Sequence, residues 1–139
     1  MGSLETLTFV CLDTTFLIDF LRGEEATRTT YLRLKSEGHN FATTTINAFE
    51  IFRGVDKRGR IKGEEEAVRK LLSRLIVWNL DIEAAERCSR IYTDIERTGK
   101  PVGVNDCLAA AIAISNGCQK IVSEDEHFQK IPGIERISY

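Results

Sequence analysis

The chain has 139 residues, 42% of them hydrophobic and 29% charged, with a formal net charge of −2. That length suits a single domain over residues 1–139 that buries roughly two-thirds of its unfolded surface. Two prolines, ten glycines and no repeat or low-complexity tract exclude a long linker or a solenoid.

The longest apolar stretch, Leu108 to Ile114, is far below the roughly 20 residues that span a bilayer. No membrane segment is expected. Glu5 is present and no Lys or Arg precedes Arg22, which is unlike a signal peptide and makes cytoplasmic residence the default. Residues 1–6 read as a disordered or cloning-derived start. Their Met-Gly-Ser-Leu-Glu-Thr matches a myristoylation pattern, but no basic second anchor accompanies it. Cys11, Cys88, Cys107 and Cys118 include no Cys-x-x-Cys pair, so buried thiols are expected rather than zinc ligands or disulfides.

In chain order, Thr8 to Leu12 is a continuous apolar run suited to a strand covered on both faces. Thr14 or Thr15 caps the next helix, which Gly23 closes, and a second helix runs from Glu24 to Glu37. A strand at Asn40 to Thr43 leads into the helix carrying Glu50, with an expected stop near Gly54. Ala67, Val68, Leu71, Leu72 and Leu75 mark one face of a helix whose first turn holds Glu64, Glu65 and Glu66.

A third strand follows at Ile76 to Trp78. Asp81 caps a long amphipathic helix that ends at Gly99 and Pro101. Asn105 caps the alanine-rich helix Asp106 to Asn116, which is apolar nearly all round and belongs in the core. Lys120 to Ser123 forms a fourth strand, Glu126 to Gln129 a short helix, and Arg136 to Tyr139 an edge strand. Alternating strands and helices give an α/β fold on a parallel sheet.

Four acids stand where this pattern expects apolar side chains: Asp13, Glu50, Asp106 and Asp125. Asp13 and Asp125 follow strands, and parallel sheets bind ligands beyond the carboxyl ends of their strands. Asp106 lies in a helix's first turn, where the dipole keeps a carboxylate ionised. Glu50 sits among Ile46, Phe49 and Phe52 and calls for Arg53 or a cation as partner. Grouped together, four carboxylates repel one another and suit two Mg²⁺ or Mn²⁺ ions, because all-oxygen ligation favours these over zinc. The chemistry of such a site is phosphodiester hydrolysis.

Removing those four charges from −2 leaves +2, and Lys57, Arg58, Arg60 and Lys62 crowd one polar segment able to hold phosphate. His39 and His127 are isolated and read as surface residues. Cys107, adjacent to Asp106, points into the core.

Leu12-Asp13-Thr14-Thr15-Phe16-Leu17-Ile18, Asn47 through Gly54, Gly103 through Ala111 and Ile121 through Phe128 resemble the four acidic motifs of PIN domains, in order and over nearly the whole chain. The closing Ile131-Pro132-Gly133-Ile134 is similar to the VapC toxin branch. This resemblance implies sheet order 3-2-1-4-5 and a Mg²⁺- or Mn²⁺-dependent endoribonuclease. It makes Asp13 and Asp106 the surest ligands, Glu50 the next, and Asp125 a ligand that acts directly or through water. Thr15 and Ser123 match supporting hydroxyl positions. The partners implied are RNA, a VapB-like antitoxin and a second copy in a homodimer.

Two alternatives remain at this level. A haloacid dehalogenase-like phosphatase needs an Asp where Thr15 stands. A non-catalytic PIN-like RNA-binding or interaction module would not need all four acids.

Overall fold

The computed structural model describes residues 8–139. Its strands are β1 (Phe9–Leu12), β2 (Asn40–Thr44), β3 (Ile76–Trp78), β4 (Lys120–Val122) and β5 (Glu135–Ile137). They pair in parallel in the order β3-β2-β1-β4-β5, the order the sequence resemblance implies. Six helices flank them: α1 (Thr14–Leu21), α2 (Glu25–Ser36), α3 (Thr45–Lys57), α4 (Glu64–Leu72), α5 (Ile82–Glu96) and α6 (Val104–Ser115). A 3-10 turn covers Glu126–Lys130. The expected N-terminal start and its myristoylation pattern lie outside the described residues.

β1 is central because its side chains are apolar on both faces. Val10 and Leu12 enter one core with Phe16, Leu17, Leu34, Ile51 and Val55. Cys11, between them, enters the other with Cys88, Cys107, Ala110, Ala111 and Phe128. That alternation is the period-two geometry of a strand, and β4 repeats it with Ile121 on one side and Val122 on the other. Cys11 pairs with Ile121 and Leu12 with Val122, so β1 and β4 end level with each other. Sheet order reverses between these two strands.

All four cysteines are free and buried. α6 lies in the core because Ala109, Ala110, Ala111 and Ala113 present little bulk, each being at most 1% exposed. Small side chains let its backbone pack close to the sheet. No helix among the described residues is long and apolar enough to cross a membrane.

Several helix ends differ from the sequence expectation. Asp13, not Thr14 or Thr15, occupies the cap position of α1, and its side chain makes no capping bond. Glu24 is the cap of α2 rather than its first residue. Helix α3 continues through Gly54 to Lys57, since Val55 at 1% exposure gains enough from burial to carry the helix onward. α6 starts at Val104 with Gly103 as cap, which leaves Asn105 inside the helix with its side chain free for another task.

Candidate metal centre

Asp13 extends from the end of β1, held in line by its N–H donating to the Val122 carbonyl at 3.1 Å. It is 3% exposed. A carboxylate so buried requires donors, and three side chains provide them. Ser123 Oγ donates to Oδ2 at 2.6 Å, Thr15 Oγ1 to the same oxygen at 3.4 Å, and Asn47 Nδ2 to Oδ1 at 3.0 Å. Burial raises the Asp13 pKa above the usual carboxylate value. Hydrogen bonds from Ser123 and the Thr14 backbone oppose that rise, while the charges of Glu50 and Asp125 add to it.

Asn47 is 1% exposed and joins several elements at once. Thr44 caps α3 by accepting from the Asn47 N–H at 3.2 Å, and its hydroxyl donates to Asn47 Oδ1 at 2.7 Å. That fixes the amide so that Nδ2 reaches both Asp13 and Thr14 Oγ1, each at 3.0 Å. Thr14 in turn donates to Glu50 Oε1 at 2.7 Å, and Asn105 Nδ2 donates to Glu50 Oε2 at 3.4 Å. Neutral donors therefore reach both oxygens of Glu50, and among the described residues Arg53 makes no ion pair with it.

Asp106 lies in the first turn of α6, as expected. Its pKa is pushed up to about 8, first by burial, then by hydrogen bonding and charge from Asp125, with Asp13 and Glu50 adding smaller repulsions. The helix dipole, worth about 0.3–1 kcal/mol at such a position, is outweighed. Burial also acts to raise Asp125, but Asp106, the His127 N–H, and the charges of His127 and Arg136 outweigh it and hold the carboxyl below its ordinary value. The two neighbouring carboxyls are thus pushed in opposite directions, Asp106 up and Asp125 down.

Asp125 is oriented from both sides. Its N–H donates to Ser123 Oγ at 3.0 Å, and its Oδ1 accepts from the His127 N–H at 2.9 Å while lying 3.2 Å from His127 Nδ1. Phe128, fully buried, pins the turn that carries them. Asp106, Asp125 and His127 offer ligand atoms all within 4.8 Å of one another. Asp13 and Glu50 lie outside that tight group, yet near enough for their charges to act on Asp106. A buried, mutually repelling carboxylate set with an imidazole at its edge is the donor chemistry a divalent cation fits.

Sequence reasoning treated Asn47, Thr14, Asn105 and His127 as ordinary residues. Only the placement of Asn47 inside an otherwise apolar helix segment hinted at a partner. The basic segment lies apart from this network. Arg58 binds Glu64 at 2.7 Å and Arg60 binds Asp56 at 3.2 Å, while Lys57 and Lys62 are exposed. Among the described residues, no hydrogen bond or ion pair links the four to the acids.

A PIN-domain family model matches residues 10–134. A tRNA(fMet)-specific endonuclease VapC of Salmonella typhimurium is 31% identical over 91 residues, covering 66% of this chain and 69% of that protein. Ribonuclease VapC19 of Mycobacterium tuberculosis is 26% identical over 125 residues, covering 89% and 95%. Among solved structures, DNA-bound VapBC from Salmonella typhimurium superposes with a TM-score of 0.82 at 28% identity, covering 96% of this chain and 98% of that one. VapBC2 from Rickettsia felis, bound to a promoter DNA fragment, reaches 0.84 at 20% identity over 95% and 99%, a likeness of fold. The sheet order, the acids gathered at its reversal and a family match spanning most of the sequence agree: the chain belongs to the PIN-domain family and resembles its VapC ribonucleases.

Proposed function

We propose that this protein is the endoribonuclease toxin of a toxin-antitoxin pair, hydrolysing RNA phosphodiester bonds with Mg²⁺ or Mn²⁺ held by Asp13, Asp106 and Asp125, and with Glu50 beside them. The observation that carries this reading is the convergence of Asp106, Asp125 and His127, whose ligand atoms all lie within 4.8 Å of one another, with Asp13 and Glu50 near enough for their charges to act on Asp106. A divalent cation there supplies Lewis acidity, offsetting carboxylate charge and favouring hydroxide over water at neutral pH.

The protein's own groups prepare that chemistry. Ser123, Asn47 and the Thr14 N–H favour the ionised form of Asp13 despite its burial. Thr14 and Asn105 fix both oxygens of Glu50 toward the same pocket. Asp125, held ionised, is available to ligate the cation, and His127 Nδ1 lies 3.2 Å from the same carboxylate. His127 is more than half exposed.

RNA is the substrate we infer from the two VapC relatives, one named as an endonuclease specific for tRNA(fMet) and the other as a ribonuclease. The Salmonella VapBC structure suggests a VapB-like antitoxin as partner. A cleft of about 480 Å³ among α1, α2, β2 and α4, floored by Phe16, Phe20, Tyr31, Phe41 and Leu75 with Lys35 and Arg74 in its lining, suits an apolar partner segment bearing acidic residues. Cytoplasmic residence and a homodimer complete the reading.

The test is cleavage of total cellular tRNA by the wild type and by Asp106→Asn, with Mg²⁺ and with Mn²⁺. Cleavage by the wild type alone, with both proteins melting as folded species, supports the proposal. Equal cleavage by Asp106→Asn would remove the metal-centred mechanism.

A further inference from the structure

Phe49 precedes Glu50 on α3, and its side chain is 59% exposed. Val104, the first residue of α6, precedes Asn105 and is 51% exposed. α3 packs against α6, and the Asn105 to Glu50 hydrogen bond joins them at this point. Two exposed large apolar residues are therefore the immediate chain neighbours of the pair whose contact positions one of the site's acids. Isolated exposed hydrophobes are ordinary on protein surfaces, but these two are the chain neighbours of Glu50 and Asn105, which join α3 to α6.

Asp13, Glu50, Asp106 and Asp125 repel the phosphates of any RNA that approaches, and metal offsets this only at the atoms it binds. Contacts to the bases, which do not depend on backbone charge, therefore gain weight next to the scissile phosphate. The face of an unpaired base supplies such a contact, because it stacks on an aromatic ring regardless of sequence. One turn farther along α3, at i+4 from Phe49, Arg53 is exposed. Arg58 and Arg60 are tied to Glu64 and Asp56, whereas Arg53 makes no ion pair among the described residues. Its guanidinium is free to hold a phosphate one step away from the acids.

We infer that Phe49 is a substrate-positioning residue: its ring stacks on an unpaired RNA base beside the scissile phosphate, Val104 closes the other side, and Arg53 holds a neighbouring phosphate. This rests on the nuclease reading above and adds to it the side chain that orients a base beside the scissile phosphate.

The experiment measures kcat and KM for wild type, Phe49→Ala and Phe49→Trp on total tRNA and on a mixed-sequence single-stranded RNA, with melting temperature and sedimentation mass for each. For Phe49→Ala the inference expects KM to rise about tenfold, the weight of one stacked base, with kcat, melting temperature and mass unchanged. Phe49→Trp is expected to keep the wild-type KM. An unchanged KM in Phe49→Ala, or a change confined to kcat, overturns the inference and leaves the nuclease reading in place. A wild-type dimer that falls to a monomer in Phe49→Ala overturns it in favour of a subunit contact. Absence of cleavage by the wild type on either RNA removes the nuclease reading and this inference with it.

Discussion

Asn47 Nδ2 lies 3.0 Å from Asp13 Oδ1, and neither side chain has more than a trace of solvent contact. An amide from the first turn of α3 thereby fixes a carboxylate at the end of β1, with the Thr44 hydroxyl fixing the amide. Charge-assisted bonds of this kind are roughly twice as strong as neutral ones.

Replacing Asn47 with Ala removes the amide donor to Asp13 Oδ1 and the acceptor of the Thr44 hydroxyl proton, leaving Thr44 only the bond it accepts from the N–H of residue 47. The cost expected is about 1–3 kcal/mol of stability, together with loss of most RNA cleavage. Urea titration at neutral pH measures the first and a tRNA cleavage assay the second. A variant as stable and as active as wild type would mean that this amide is incidental.

Stability without metal should fall as pH rises. Asp106 has a folded pKa of about 8 against an ordinary value of 3.8, so between those values the folded state holds a proton that the unfolded state has released. Its contribution is fully present below the unfolded value and is lost as pH rises through the folded one. Melting temperatures in EDTA should drop across that window, and millimolar Mn²⁺ should restore them most at the alkaline end. Asp106→Asn should flatten the dependence in EDTA. A profile identical in wild type and variant would contradict the charge assignment.

His127 adds nitrogen to an oxygen-rich set, and imidazole suits Mn²⁺ better than Mg²⁺. Substituting His127 with Ala should therefore weaken Mn²⁺ binding several-fold while changing Mg²⁺ binding little. Calorimetric titration of each metal into both proteins reads the difference. Equal losses for the two ions would assign the imidazole to holding Asp125 alone.

Of the basic segment, only Lys57 and Lys62 are without an ion pair among the described residues. If both meet phosphates, the double Ala variant should reduce the slope of log KM against log salt by about 1.4, at roughly 0.7 per phosphate on single strands. An unchanged slope would place the segment off the RNA path.

The strands and the acids that follow them were legible because both depend on local pattern. An apolar run that ends in Asp predicts a strand end, and Asp13 and Asp125 stand beyond the ends of neighbouring strands. Sheet order came through resemblance, since pairing between distant segments leaves no local trace. Asn47, Thr14 and Asn105 were passed over because a Thr or Asn near a helix start already has an ordinary explanation as a cap. Their actual partners lie on other elements: Thr14 on α1 bonds Glu50 on α3, and Asn105 on α6 reaches the same carboxylate. The upward shift of Asp106 follows in part from the mutual repulsion of four grouped carboxylates, which the sequence pattern implies, whereas burial, its largest cause, emerges only on folding.

The alanine run of α6 acts as a ruler for the reaction. Ala110, Ala111 and Ala113 have no measurable exposure, so an added methyl would push the helix outward and carry Asp106 away from Asp13. Spacing between the carboxylates is thus set by residues that never meet substrate, and drift at those alanines would alter the enzyme's choice of cation before it unfolded the chain.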